Sequence, residues 1–227
     1  METIDLARVA VRDLNRRLQM REGDNGETEF SVLNPGGAHA LAAGLTHPIN
    51  VTIDGHTGYY CAGMNQEANV TVVGNAGTGV AENMMSGVVR VKGDVSQSAG
   101  ATAHGGMLVI EGDASARCGI SLKGADIVVQ GSVGHMAAFM AQAGRLVVLG
   151  DVGADLGDSL YEAQIFVCGT VASLGADCVE KEMKSTHKSE LEALLASAGV
   201  DTDASGFRRY GSARQLYNFN IDNAGSY

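Results

Sequence analysis

Few residues in this chain stand where chemistry would need them. The run Gly74-Asn75-Ala76-Gly77-Thr78-Gly79 has the glycine density of a phosphate-binding loop, but such a loop leads into a helix whose N-terminus holds the anion. Another strand-like segment follows here instead, so the phosphate reading is the poorer one. Asp94 and Asp113 lie nineteen residues apart, and an acidic pair at that spacing on stacked coils would suit a cation or an acid–base couple. Asn75, Ser132, Asp151 and Thr170 share their phase, and Asx-type turns account for the whole column more simply. His47 and His104 share a phase but lie three repeats apart, while His39, His56 and His135 fall at other phases and His187 lies beyond the repeat. No trio of neighbours emerges to bind a metal. No Ser, His and Asp set or Cys and His pair can be aligned either. The spacing therefore assigns no catalytic, cofactor-binding or metal-binding residue.

The cysteines read the same way. Cys61 and Cys118 each stand six places after a repeat glycine but three coils apart, about 14 Å at strand spacing, which no disulfide spans. Cys168 and Cys178 differ in phase and no CxxC occurs, which argues against a structural zinc or iron–sulfur site. Free, buried thiols are expected.

What organises these residues is a repeat. Gly55, Gly74, Gly93, Gly112, Gly131, Gly150 and Gly169 follow one another at nineteen-residue intervals. Four places before each stand Val51, Val70, Val89, Leu108, Ile127, Leu146 and Ile165, and two places before stand Ile53, Val72, Val91, Ile110, Val129, Val148 and Val167. This is strand alternation in constant register, and each strand must run parallel to the last and stack on it. Small or apolar residues recur two places after the glycine (Thr57, Ala76, Val95), and small ones at the seventh (Ala62, Ala81, Gly100) and thirteenth (Ala68, Gly87, Gly106). Three such places suggest three corners. The fold expected is all-β: a single right-handed parallel β-helix of seven to eight nineteen-residue coils, with short helical caps at both ends. The glycines are expected to permit backbone angles that other residues resist.

Residues 1–29 read as a capping or docking segment, 30–182 as the β-helix, and 183–227 as a helix and an aromatic docking tail. In the first segment Val11, Leu14 and Leu18 share a helical face. Phe30 to Ile49 look like a worn first coil, with Gly36 one period before Gly55 and Asn34 in an inward place. Beyond the repeat, Leu191, Leu194, Leu195 and Ala198 mark a helical face that Gly199 ends. The last twenty-one residues then hold five of the eleven aromatics with Arg208, Arg209 and Arg214. That segment is too aromatic for a solvated tail. It packs back on the rod or captures a neighbouring subunit, and Arg208, Arg209, Tyr210, Arg214, Tyr217 and Phe219 are the candidate partner interface.

A formal net charge of −10 and a pI near 4.9 disfavour nucleic acid and anionic membranes, both of which need clustered Lys and Arg. No run of about twenty apolar residues and no basic-then-apolar leader occurs. A cytoplasmic location is expected.

The coils VTVVGNAGTG, GATAHGG and IVVQGSVGHMAAFMAQAG resemble the glycine-repeat (GXGXG) domain that closes the large subunit of glutamate synthase, a domain similar to one found in formylmethanofuran dehydrogenase. With the ending FRRYGSARQLYNFNIDNA, residues 30–227 look most like the separate glycine-repeat subunit of N-methylglutamate synthase, the methylamine–glutamate N-methyltransferase. The resemblance implies a non-catalytic scaffold joining two partners: an FMN-binding glutamate synthase-like subunit with an iron–sulfur cluster, and a glutamine amidotransferase-like subunit. Chemistry, methylamine and glutamate giving N-methylglutamate and ammonia, would belong to those chains, and no cofactor to this one. The alternatives are the equivalent subunit of a formylmethanofuran dehydrogenase or formyltransferase/hydrolase complex, and a stand-alone β-helix enzyme.

Overall fold

The computed structural model describes residues 1–20 and 28–214. Strands β1 (Glu2–Asp5), β2 (Glu29–Leu33), β3 (Asn50–Asp54), β4 (Asn69–Val72), β5 (Val88–Val91), β6 (Met107–Ile110), β7 (Lys123–Val129), β8 (Ala143–Val148) and β9 (Gln164–Val167) stack in chain order, every neighbouring pair parallel. From Val51 to Ile165 the pairing advances by nineteen residues at each step. The molecule is a β-solenoid. A second ladder of single bridges joins Thr57, Ala76, Val95, Ala114, Val133, Val152 and Val171, the column two places after the glycine.

Inside lies one continuous apolar core. The two strand columns fill it, along with the seventh place (Ala62, Ala81, Ala138) and two places whose spacing alone did not mark them as inward. These are the sixth (Cys61, Val80, Ala99, Cys118, Ala137, Leu156) and the tenth (Asn65, Met84, Ala103, Leu122, Ala141, Leu160), all buried. Loss of water around Cys61 and Cys118 pushes both thiols up to about 12. A buried side chain of Val, Leu or Ile size contributes about 1.5–3 kcal/mol, which is why the coils stand only together.

The corner around the seventh place is built from backbone. In every coil from that of Gly55 to that of Gly150, the fifth, seventh and ninth residues after the glycine have positive φ, as in Tyr60, Ala62 and Met64 or Ser98, Gly100 and Thr102. A left-handed residue other than glycine costs about 1–2 kcal/mol. The compensation is a two-way stitch: Tyr60 N and Met64 N donate to Thr78 O and Glu82 O of the next coil, while Ala62 N donates to Leu41 O of the previous one.

The roles of the glycines and the first coil differ from expectation. Of the seven repeat glycines only Gly55 has a left-handed φ, +136°. The others are glycine because the coils touch there: a Cβ on Gly169 would lie 2.2 Å from Gly150 O. The first coil is also longer than the period. Phe30 pairs with Val51 and Val32 with Ile53, a step of twenty-one, so Asn34 aligns with Gly55 rather than lying inward. Asn34 is exposed, has φ +54° and donates from Nδ2 to Asp5 Oδ1 at 2.7 Å. The alternation of Phe30 and Val32, not the glycine, sets the register.

At the N-terminal end helix α1 (Val11–Leu18) buries Leu14 and Leu18 completely against this core, and Asn15 Nδ2 donates to Ala40 O at 2.7 Å. After the last coil come β10 (Cys178–Lys181), α2 (Ser185–Ser197), a short 3-10 turn at Ala204–Gly206 and β11 (Arg208–Ser212). Helix α2 is no end cap. Its Leu191, Leu194, Leu195 and Ala198, with Ala204 and Phe207, cover Val109, Val128, Val147 and Phe166 on the outside of the sheet, forming a second core. Gly199 ends the helix at φ +70°, with Val200 N donating to Leu195 O, and Arg90 Nη2 reaches across to donate to Ala198 O at 2.8 Å.

Candidate partner interface

Most of the residues singled out for chemistry hold coils together, whereas His47 Nδ1 is buried without a hydrogen-bond partner among the described residues. Asp94 N donates to Asn75 Oδ1, Asp113 N to Asp94 Oδ1, Ser132 N to Asp113 Oδ1, Asp151 N to Ser132 Oγ and Thr170 N to Asp151 Oδ1, at 2.7–3.0 Å. The column is a polar ladder between coils rather than a set of local Asx turns. His56 begins it, accepting from Asn75 N at 3.0 Å. His39 likewise accepts from Tyr59 N through Nδ1, and its ring stacks on Tyr59 with centroids 3.8 Å apart. In the glycine-rich run, the amides of Asn75, Ala76, Gly77 and Gly79 all donate to adjacent coils, so none of the four is free to meet a phosphate. Among the described residues no group of three or more His, Cys, Asp or Glu is placed to hold a metal, and no helix is long and apolar enough to cross a membrane.

The basic, aromatic end of the chain is placed differently. Strand β11 runs antiparallel between β9 and β10, with Tyr210 opposite Ile165 and Glu180, and Arg209 opposite Phe166 and Lys181. Tyr210 is buried in the inner core, where lost hydration raises its phenol pKa. It closes the column that runs through Phe30, Val51 and Ile165. Arg208 lies outside, its guanidinium 5.9 Å from the Tyr210 ring centroid and donating to Gly169 O at 2.7 Å. Arg214 pairs with Glu162 at 2.8 Å, both well exposed. Tyr217 and Phe219 lie outside the described residues. Residues 207–212 thus pack back on their own rod, one of the two placements the composition allowed, while the arginines keep an outward side.

Along its full length the chain aligns with a known protein. It is 58% identical over 228 residues to Protein GlxC of Rhizobium meliloti (strain 1021), all of both chains being covered. The chain belongs to the GlxC family. No family model matches it.

This GlxC-family chain carries a cleft that residue spacing did not reveal. It has a volume of about 360 Å³ and lies beside β11, lined by Glu162, Gln164, Lys181, His187, Arg209 and Arg214 among others. Lys181 and Arg209 are 28 positions apart and meet only because β11 runs antiparallel to β10. The sole signal in the sequence was a basic cluster near the end of an acidic chain. Elsewhere Tyr59, Met64, Met85 and Met140 are exposed apolar side chains.

Proposed function

We propose that this chain is a non-catalytic structural subunit of an FMN-dependent glutamate synthase-like complex, N-methylglutamate synthase being the specific enzyme. The observation that carries the reading is the occupation of its polar column: His56, Asn75, Asp94, Asp113 and Asp151 accept backbone amides of adjacent coils, and the interior is filled with apolar side chains. A rod of this kind offers length and surface. In this reading the flavin, the iron–sulfur cluster and the amidotransferase chemistry reside in partner subunits, and the outward arginines of β11 with residues 215–227 meet one of them. Support comes from the glycine-repeat resemblance and from membership of the GlxC family.

The test is purification of the tagged full chain from its own cells. Flavin absorbance should travel with it, and mass spectrometry should find a glutamate synthase-like and an amidotransferase-like chain. Formylmethanofuran dehydrogenase-type partners would replace this reading with its alternative, and a stable colourless monomer would sink both. Because removing residues 207–227 would also take out β11, the informative truncation removes only 215–227. It should leave a folded rod that no longer retains its partners.

A further inference from the structure

The cleft beside β11 is electrostatically unfinished. Lys181 and Arg209 occupy directly opposed positions on adjacent antiparallel strands, where like charges destabilise a sheet. Neither forms an ion pair among the described residues. Among the described residues the Arg209 side chain makes one hydrogen bond, from Nε to a neutral acceptor, Glu182 O, at 3.1 Å. Its pKa is lowered, mainly by lost hydration, with a weaker opposing field from Glu182. His187, in the first turn of α2, uses Nδ1 to accept from Lys184 N, which leaves Nε2 as its remaining polar atom. Gln164 Oε1, in the same lining, is buried without a hydrogen-bond partner among the described residues. Two adjacent cations, one partly stripped of water, surround a space large enough for a small ligand.

We propose that this cleft binds a carboxylate, held between the Lys181 ammonium and the free Nη face of Arg209. Arginine's planar fork matches a carboxylate in bidentate fashion and lysine adds a point charge. Two cations match the two oxygens of a carboxylate better than the four of phosphate, and the Gln164 oxygen favours an acid that carries a donor next to its carboxylate. The site does not depend on the subunit reading, since the residues all belong to this chain.

The test uses the purified full-length chain at constant ionic strength. L-malate represents a free organic acid, the blocked tripeptide Ac-Gly-Glu-Gly-NH2 an acidic side chain offered by another protein, and inorganic phosphate the competing anion. Calorimetry should detect malate or the peptide, with phosphate weaker, and Lys181→Met and Arg209→Gln should each weaken binding at least about tenfold, the usual effect of losing one charged hydrogen-bond partner. Malate alone binding identifies a free acid as the ligand; the peptide alone identifies a protein side chain. Both variants should also melt higher than the unaltered chain without ligand, because the repulsion between the two cations is gone. Absence of binding by both carboxylates would overturn the proposal, as would unchanged affinity in both variants.

Discussion

The outer face of the solenoid's sheet is built in two ways, and the contrast separates what the repeat does from what it merely carries. On β3, β4 and β5 the outward residue at the centre of the strand is Thr52, Thr71 or Arg90, open or half-open to water. On β6 to β9 the same place holds Val109, Val128, Val147 and Phe166, each fully buried. The inward residues stay aliphatic in both halves, with Val51, Val70 and Val89 giving way to Leu108, Ile127, Leu146 and Ile165 in one column. A coil therefore specifies its interior through one face of the pleat and leaves the other free, and here the second half has used that freedom to dock α2.

The largest predicted effect tests the interior. Val129→Asp places an unpaired carboxylate in the inner core, at a cost of roughly 4 kcal/mol or more; loss of soluble, cooperatively melting protein is expected, and an unchanged melting temperature would refute the inward assignment. One residue away, Val128→Asp points the same charge at α2. It should cost roughly 2–4 kcal/mol, freeing residues 185–199 for limited proteolysis while the coils survive. Thr71→Asp, at the equivalent place on β4, should change stability by less than about 0.5 kcal/mol. Equal effects from these two outward substitutions would erase the distinction between the halves.

Smaller still is the link across the boundary. Arg90 sits on the last open strand, ion-paired to Glu111 and bonded to the end of α2 through Ala198 O. Arg90→Ala should cost about 1 kcal/mol, visible as faster proteolysis at the C-terminal end of α2 and little change in the melting of the coils.

The least effect belongs to the polar ladder. Hydrogen bonds from the amide and then the hydroxyl of Thr170 hold the Asp151 carboxyl below its ordinary 3.8. Because the folded pKa is depressed, its contribution is present above 3.8 and is lost as pH falls through the lower folded value. Asp151→Asn should melt slightly below the unaltered chain at neutral pH, and the gap should close in acid beneath pH 3.8. A gap that widens in acid would contradict the assigned direction.

Legibility followed the same division. The nineteen-residue ladder, the apolar face of α2 and the stop at Gly199 could all be read from spacing, since each is a local pattern repeated or ended by a residue with a known backbone role. The column from Thr57 to Val171, small enough to suggest a corner, is instead a ladder of bridges. In the first coil the glycine period points to Gly36, while the pairing obeys Phe30 and Val32 and aligns Asn34 with Gly55. The left-handed triplets at the corner were hidden because their side chains vary from Tyr60 to Gly79 to Arg117. Their constraint lies in backbone hydrogen bonds, which leave little trace in residue type. A break in alternation was available on β6 to β9, where apolar residues run consecutively (LVI, IVV, LVV and IFV), and it marks a strand covered on both faces.

From the chain alone come the solenoid, its period and the burial of its inward columns, because a parallel stack translates one coil's pattern directly into the next. The tertiary structure alone decided that α2 lies along the outside rather than across an end, that β11 enters between β9 and β10, and that Lys181 faces Arg209. Those placements join segments far apart in sequence through an antiparallel insertion and a shared apolar surface, and no period connects the partners in advance.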